Sequence, residues 1–161
     1  MEDRPEITIQ LKPLDTAIEV TGYVLLGLLW AFAIYAYWQL PDNSSVNFDL
    51  RENPNNDKII FLLPLIGALQ FLIITSVQDK PHLMNFPLKI TPDNIERQYA
   101  LGMRMAKMIK VILATAFLSI LYYSYYDAIG LEGTFGAWLL PVIVFIVFLP
   151  LLYCYIKSKK S

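Results

Sequence analysis

Four long runs without a single charged residue decide most of what this chain can fold into. They occupy residues 20–38, 59–77, 111–126 and 133–156. A hydrocarbon core about 30 Å thick is crossed by roughly 20 apolar residues in a helix. Lipid offers the backbone no water, so a spanning segment must be a helix or a strand of a closed barrel. None of the runs alternates apolar and polar residues with period two, which argues against strands. The expectation is an all-α, four-helix transmembrane bundle forming one membrane domain, with spans at about 20–38, 59–77, 109–126 and 135–156. The third run is short, and extending it back to Ile109 requires Lys110 to snorkel its ammonium toward the headgroups.

Composition agrees with the runs. The 161 residues are 56% hydrophobic and only 17% charged, against about a quarter charged in a water-soluble domain, and the mean hydropathy is +0.46. The N-terminus is acidic where a secretory signal is basic, and the first apolar run is too long for the core of one, so that run is expected to stay in the membrane. A net charge of -1 leaves no basic excess for nucleic acid. The single cysteine, Cys154, supplies neither an internal disulfide framework nor a cysteine-type zinc cluster.

Orientation follows from the basic residues. Arg4 and Lys12 precede the first span, and Arg51 and Lys58 lie in the first loop. The second loop holds Lys80, Lys89, Arg97, Arg104, Lys107 and Lys110, the third loop holds none, and the tail holds Lys157, Lys159 and Lys160. With four spans, 11 of the 13 fall on the side shared by both termini and the second loop. The positive-inside rule places that side in the cytoplasm, across an inner membrane. Tyr35, Tyr37, Trp38, Tyr122, Tyr123, Tyr125, Tyr126 and Trp138 would then form an outer aromatic belt, with Tyr153 and Tyr155 at the inner one.

The first loop, 39–58, is turn-rich and mildly acidic through Asp42, Asp49, Glu52 and Asp57. The third is short enough for a helical hairpin, with Gly130 and Gly133 providing unusual backbone angles. The stretch 78–110 is a cytoplasmic linker and helix. Pro81 and Pro87 punctuate an extended approach, and Thr91 is placed as an N-cap with Pro92 at the first helical position. No proline follows before residue 126. One helix of 35 residues, about 50 Å long, is therefore expected, its outer half crossing the membrane and its inner half, Asp93–Lys110, projecting into the cytoplasm or lying in the interface. His82, Asn85, Lys89, Glu96, Arg97, Tyr99, Arg104 and Lys107 are the candidate contact residues. Arg97, Arg104 and Lys107 share one sector of the helix and suit anionic headgroups, at roughly 1 kcal/mol each, or a partner protein.

Within that stretch, Pro81-His82, then Asn85-Phe86-Pro87-Leu88-Lys89-Ile90-Thr91, then Asn94-Ile95-Glu96-Arg97-Gln98-Tyr99 form a motif. Leu40-Pro41-Asp42 and Leu62-Leu63-Pro64 accompany it. Together they resemble small bacterial integral membrane proteins with an uncharacterised domain shared with SdpI-type immunity proteins, which protect cells from a secreted killing peptide. The resemblance covers roughly residues 20–126. It departs in the first loop, where Asn47 stands at a histidine position of the family and the family's glycines are missing.

Candidate chemistry is sparse. Glu19, at the cytoplasmic edge of the first span, reads as a hydrated interfacial carboxylate. The alternative is the coupling carboxylate of a small proton-coupled transporter, which would need to lie deep in the bilayer. His82 reads as structural, with Asp79 as a local partner, and Cys154 as a buried, inert thiol. Gln70, Thr75, Ser76, Thr115 and Ser119 suit interhelical hydrogen bonds, and Gly27 with Ala31 forms a small-xxx-small pair. Pro64, Pro141 and Pro150 are candidate kinks. No catalytic triad, phosphate loop or metal-ligand spacing is present and no cofactor is expected. The chain is thus read as a non-enzymatic membrane protein acting by contact with other membrane proteins or with further copies of itself. It would serve as an accessory subunit of an envelope complex or as an SdpI-like immunity protein.

Overall fold

The structure is a computed structural model that describes residues 5–7, 9–10, 12–40, 57–86 and 90–131, together with positions 142, 152 and 156. Among the described residues there is no strand. Three α-helices among the described residues carry this part of the fold: α1 (Pro13–Gln39), α2 (Leu62–Gln78) and α3 (Ile95–Ala128). Each belongs to a segment long and apolar enough to cross a membrane, so the chain is a multi-pass helical membrane protein. Most of the fourth run lies outside the described residues. Val142, Leu152 and Ile156 within it are helical and exposed.

Local sequence explains the helix limits. Pro13 opens α1 at a position whose N–H would have no helical partner anyway. The Lys12 N–H donates to Asp15 Oδ2 at 3.1 Å. At the other end Leu40 is extended (φ -64, ψ 128), as a residue before a proline must be to avoid its ring. The helix therefore begins seven residues before the uncharged run, which brings Asp15 and Glu19 onto it. A short 3-10 turn, Asp57–Phe61, leads into α2. Pro64 falls in the first turn of α2, where a missing N–H breaks no helical bond.

The start of α3 differs from expectation. Thr91 does not cap the helix with its side chain. Its N–H donates to Asn94 Oδ1 at 2.9 Å, and its carbonyl accepts from Asn94 and Ile95 at 3.1 and 3.0 Å. This closes a separate turn, and the helix begins at Ile95. It ends in a Schellman arrangement: Leu131 N–H donates to the Tyr126 carbonyl and Gly130 N–H to that of Asp127, each at 3.0 Å. Gly130 takes a φ of +76° there, as its place in the turn implied.

α1 and α3 run parallel, and α2 runs antiparallel between their levels. The buried face of α1 is narrow, with Asp15, Gly22, Leu29 and Ala36 repeating every seven residues. That is the spacing of a seam against one helix. α3 buries more of its circumference, because both other helices pack on it. Small residues bring the backbones together: a Cβ on Gly22 would sit 3.1 Å from Phe71 Cζ, and one on Gly67 3.1 Å from Leu29 Cδ2. Gly27 has no such neighbour within 4 Å, so the Gly27/Ala31 pair faces outward and takes no part in this packing.

Toward the C-terminal ends of α1 and α3, Leu29, Ala33, Ala36, Ile60, Leu121 and Tyr125 form the core cluster. The aromatic belt is partly interlocked here. Tyr125 is buried, with its ring edge-on to Phe32 at 5.7 Å, while Trp38 is 78% exposed.

Candidate functional site

The end of the bundle where α1 begins concentrates charge, and the spacing of the charges explains why. Asp15 and Glu19 are four residues apart on α1, on one face. Arg104, Lys107 and Lys110 are three apart on α3, also on one face. Parallel packing of the two helices sets the acidic pair against the basic triplet. Arg104 grips Asp15 with two parallel bonds, Nε to Oδ1 at 2.6 Å and Nη2 to Oδ2 at 3.1 Å. This is the bidentate fit that a guanidinium makes with a carboxylate. Lys107 Nζ donates to the Asp15 carbonyl at 3.3 Å and lies 3.6 Å from Glu19 Oε2. Lys110 Nζ pairs with Glu19 Oε1.

α2 completes the cluster from its last turn. Thr75 Oγ1 accepts from Lys110 Nζ at 3.3 Å while donating to the Phe71 carbonyl at 2.8 Å. Gln78 Nε2 donates to Glu19 Oε2 at 3.3 Å. The Phe71 ring centroid is 4.7 Å from the same ammonium, a cation–π distance. The Lys110 side chain is fully buried, Lys107 is 3% exposed and Glu19 17%.

These positions revise several expectations. Lys110 does not snorkel, because a carboxylate, a hydroxyl and a ring satisfy it inside the bundle. Arg104 and Lys107 turn toward α1, so they do not form a lipid- or partner-facing sector with Arg97. Glu19 is not an isolated hydrated carboxylate. Thr115 and Ser76 donate to carbonyls of their own helices, at 2.8 and 2.9 Å, instead of bridging helices. The Gln70 amide makes no hydrogen bond among the described residues.

The remaining candidate residues belong to a head built beyond the cluster. Of the described residues that precede α1, Pro5, Ile9 and Gln10 lie against α3, and the 81–86 strap lies beside Glu6 and Ile7. Tyr99 is fully buried, stacked on Phe86 at 5.6 Å, and its hydroxyl donates to the Pro5 carbonyl at 3.4 Å. It pins the head together and presents no contact surface. His82 Nε2 lies 3.4 Å from Glu6 Oε1, so its acidic neighbour is Glu6 and not Asp79. Asn85, Glu96 and Arg97 are exposed. Lys89 lies outside the described residues.

The sequence reading missed Asp15 and Gln78 as members of a site. Its available signal was the i, i+4 acidic pair set against an i, i+3, i+6 basic triplet at one membrane depth. Chemically the cluster is a clasp. Each carboxylate already holds one or more cations, and the open pocket of about 360 Å³ that Asp15 lines also holds its partner Arg104. Fold and site together define a polytopic helical membrane protein with a charged interhelical lock at one membrane boundary. Comparison with protein-family models, curated proteins and solved structures gave no match for the chain.

Proposed function

We propose that this is a four-span protein of the bacterial inner membrane, with both termini cytoplasmic, that works by protein contact without catalysis. It would serve as an accessory subunit of an envelope complex or as an SdpI-like immunity protein. The four spans and the orientation are supported by the fourth uncharged run and by the placement of 11 of the 13 basic residues on one side. The observation that carries the contact role is the clasp itself. It uses Arg104, Lys107 and Lys110 to hold α1 and α3 in fixed register, which leaves a preorganised head displaying Glu6, Asn85, Glu96 and Arg97. Ordered surfaces bind with less entropic cost than mobile ones.

Proton-coupled export through Glu19 is the competing role. It requires a carboxylate that exchanges a proton for a cationic substrate. Two lysines and the Gln78 amide already surround Glu19, and a substrate cation would have to displace them. Affinity purification of the tagged full chain in mild detergent tests the contact role, with a stoichiometric membrane partner or a defined homo-oligomer expected. Recovery only as a lone monomer, together with no protection of cells against a membrane-active peptide toxin, would remove it.

A further inference from the structure

An open cavity of about 510 Å³ lies between the last turns of α2, the 83–86 strap and the inner half of α3, within the size range of small-molecule sites. Ile74, Val77, Met84, Phe86, Met105 and Ile109 are among its lining residues, and only Asn85 and Gln98 contribute polar side chains. Two properties tie it to the bilayer. Ile74, Val77 and Ile109 belong to segments apolar enough to span a membrane, so that end of the cavity opens on hydrocarbon. Gln98, only 1% exposed, lies eleven residues back along α3 from Ile109, roughly 16 Å away at 1.5 Å per residue. The polar groups thus sit beyond the apolar wall, on the side away from the membrane interior.

The cavity is also built, not incidental. A Cβ on Gly102 would fall 2.9 Å from Met84 Sδ and from Phe86 Cε1. The glycine therefore lets the strap close over α3 and form one wall.

We infer that this cavity holds one phospholipid of the surrounding leaflet. An acyl chain would lie along Ile74, Val77, Met105 and Ile109, and an ester carbonyl would accept hydrogen bonds from the carboxamides of Gln98 and Asn85. This order, apolar toward the hydrocarbon and amide donors toward the headgroup, matches the polarity of a phospholipid along its length. The inference rests on the membrane placement of α2 and α3 and not on the contact role. Loss of lipid and loss of a partner are separate readouts.

The test uses the full chain, reconstituted with a phosphatidylethanolamine and phosphatidylglycerol mixture and taken into detergent for native mass spectrometry. A phosphatidylethanolamine with a photoreactive acyl chain maps the contacts. One retained lipid per chain and cross-links within residues 83–86 and 101–109 are expected. Met105→Trp, which fills the cavity, should lower retention about tenfold, the equivalent of withdrawing roughly two buried methylenes. Leu69→Trp, on an exposed face of α2 that does not line the cavity, should leave retention unchanged. Equal retention in Met105→Trp and the wild type would overturn the inference, as would equal loss in both variants or cross-links confined to the outward face of α2. Should Met105→Trp fail to fold, the cross-link map of the wild type decides alone.

Discussion

Replacing Glu19 by glutamine separates a structural clasp from a transport carboxylate, and the structure sets the size of the effect. The cluster contains two carboxylates and three cations, and Lys110 and Lys107 both lean on Glu19. Removing one partner of a buried ion pair costs about 3–5 kcal/mol, because the other charge stays buried. Part of that is offset here. Lys110 keeps the Thr75 hydroxyl and the Phe71 ring, the latter worth about 0.5–2 kcal/mol. Glutamine also keeps one acceptor oxygen. The expected net loss is about 2–4 kcal/mol, or roughly 10 °C in melting temperature for a chain of this size. Circular dichroism of the purified protein in mild detergent measures it. The paired change Glu19→Leu with Lys110→Leu should recover part of the loss, since it removes the stranded Lys110 charge while Lys107 keeps only the Asp15 carbonyl. A Glu19→Gln variant melting within about 2 °C of the wild type would refute the clasp. It would return Glu19 to the status of a hydrated or coupling carboxylate.

Three further outcomes follow from the packing. Arg104→Lys keeps the charge but loses the two-pronged fit to Asp15 and should cost about 1–2 kcal/mol in the same melt. Tyr99→Phe loses only the long bond to the Pro5 carbonyl and should cost less than about 1 kcal/mol. Tyr99→Ala empties a fully buried site and should cost about 3–5 kcal/mol, so comparable losses would show that the hydroxyl, not the ring, holds the head. For topology, a cysteine at Arg97 in a Cys154→Ser background should be labelled by a membrane-impermeant reagent only after the cytoplasmic side is opened. Labelling in intact cells would reverse the orientation.

The clasp also bears on how the protein sits in lipid. A lysine or arginine facing hydrocarbon at mid-membrane costs several kcal/mol. Lys110, which adjoins the third uncharged run, avoids facing hydrocarbon by pairing with Glu19 of α1. Because Asp15 and Glu19 meet Arg104 and Lys110 at matching positions along parallel helices, a slip of α1 by one turn would leave charges without partners at both ends. The ion pairs therefore specify register more than they add net stability, a role for which buried polar groups are suited.

What the sequence determined by itself is what depends on composition and short-range chemistry. Uncharged runs of spanning length make the chain a helical membrane protein, and the proline-free stretch after Pro92 makes α3 long. Gly130 appears where a helix must turn out of its last turn. These features need only a residue and its near neighbours along the chain.

Only tertiary structure decided the fate of the charges. From the sequence, Arg104, Lys107 and Lys110 suit headgroups as well as they suit carboxylates, since either offers negative charge at the membrane boundary. The choice depended on α1 beginning at Pro13 and lying parallel to α3, so that residues 15 and 19 meet residues 104 to 110 across some ninety positions of chain. The same holds for Tyr99, whose burial depends on the strap and the N-terminal residues meeting around it, and for the cavity beside Gly102. Interactions over that sequence distance are set by which helix faces pack together, and the local pattern of residues is compatible with more than one answer.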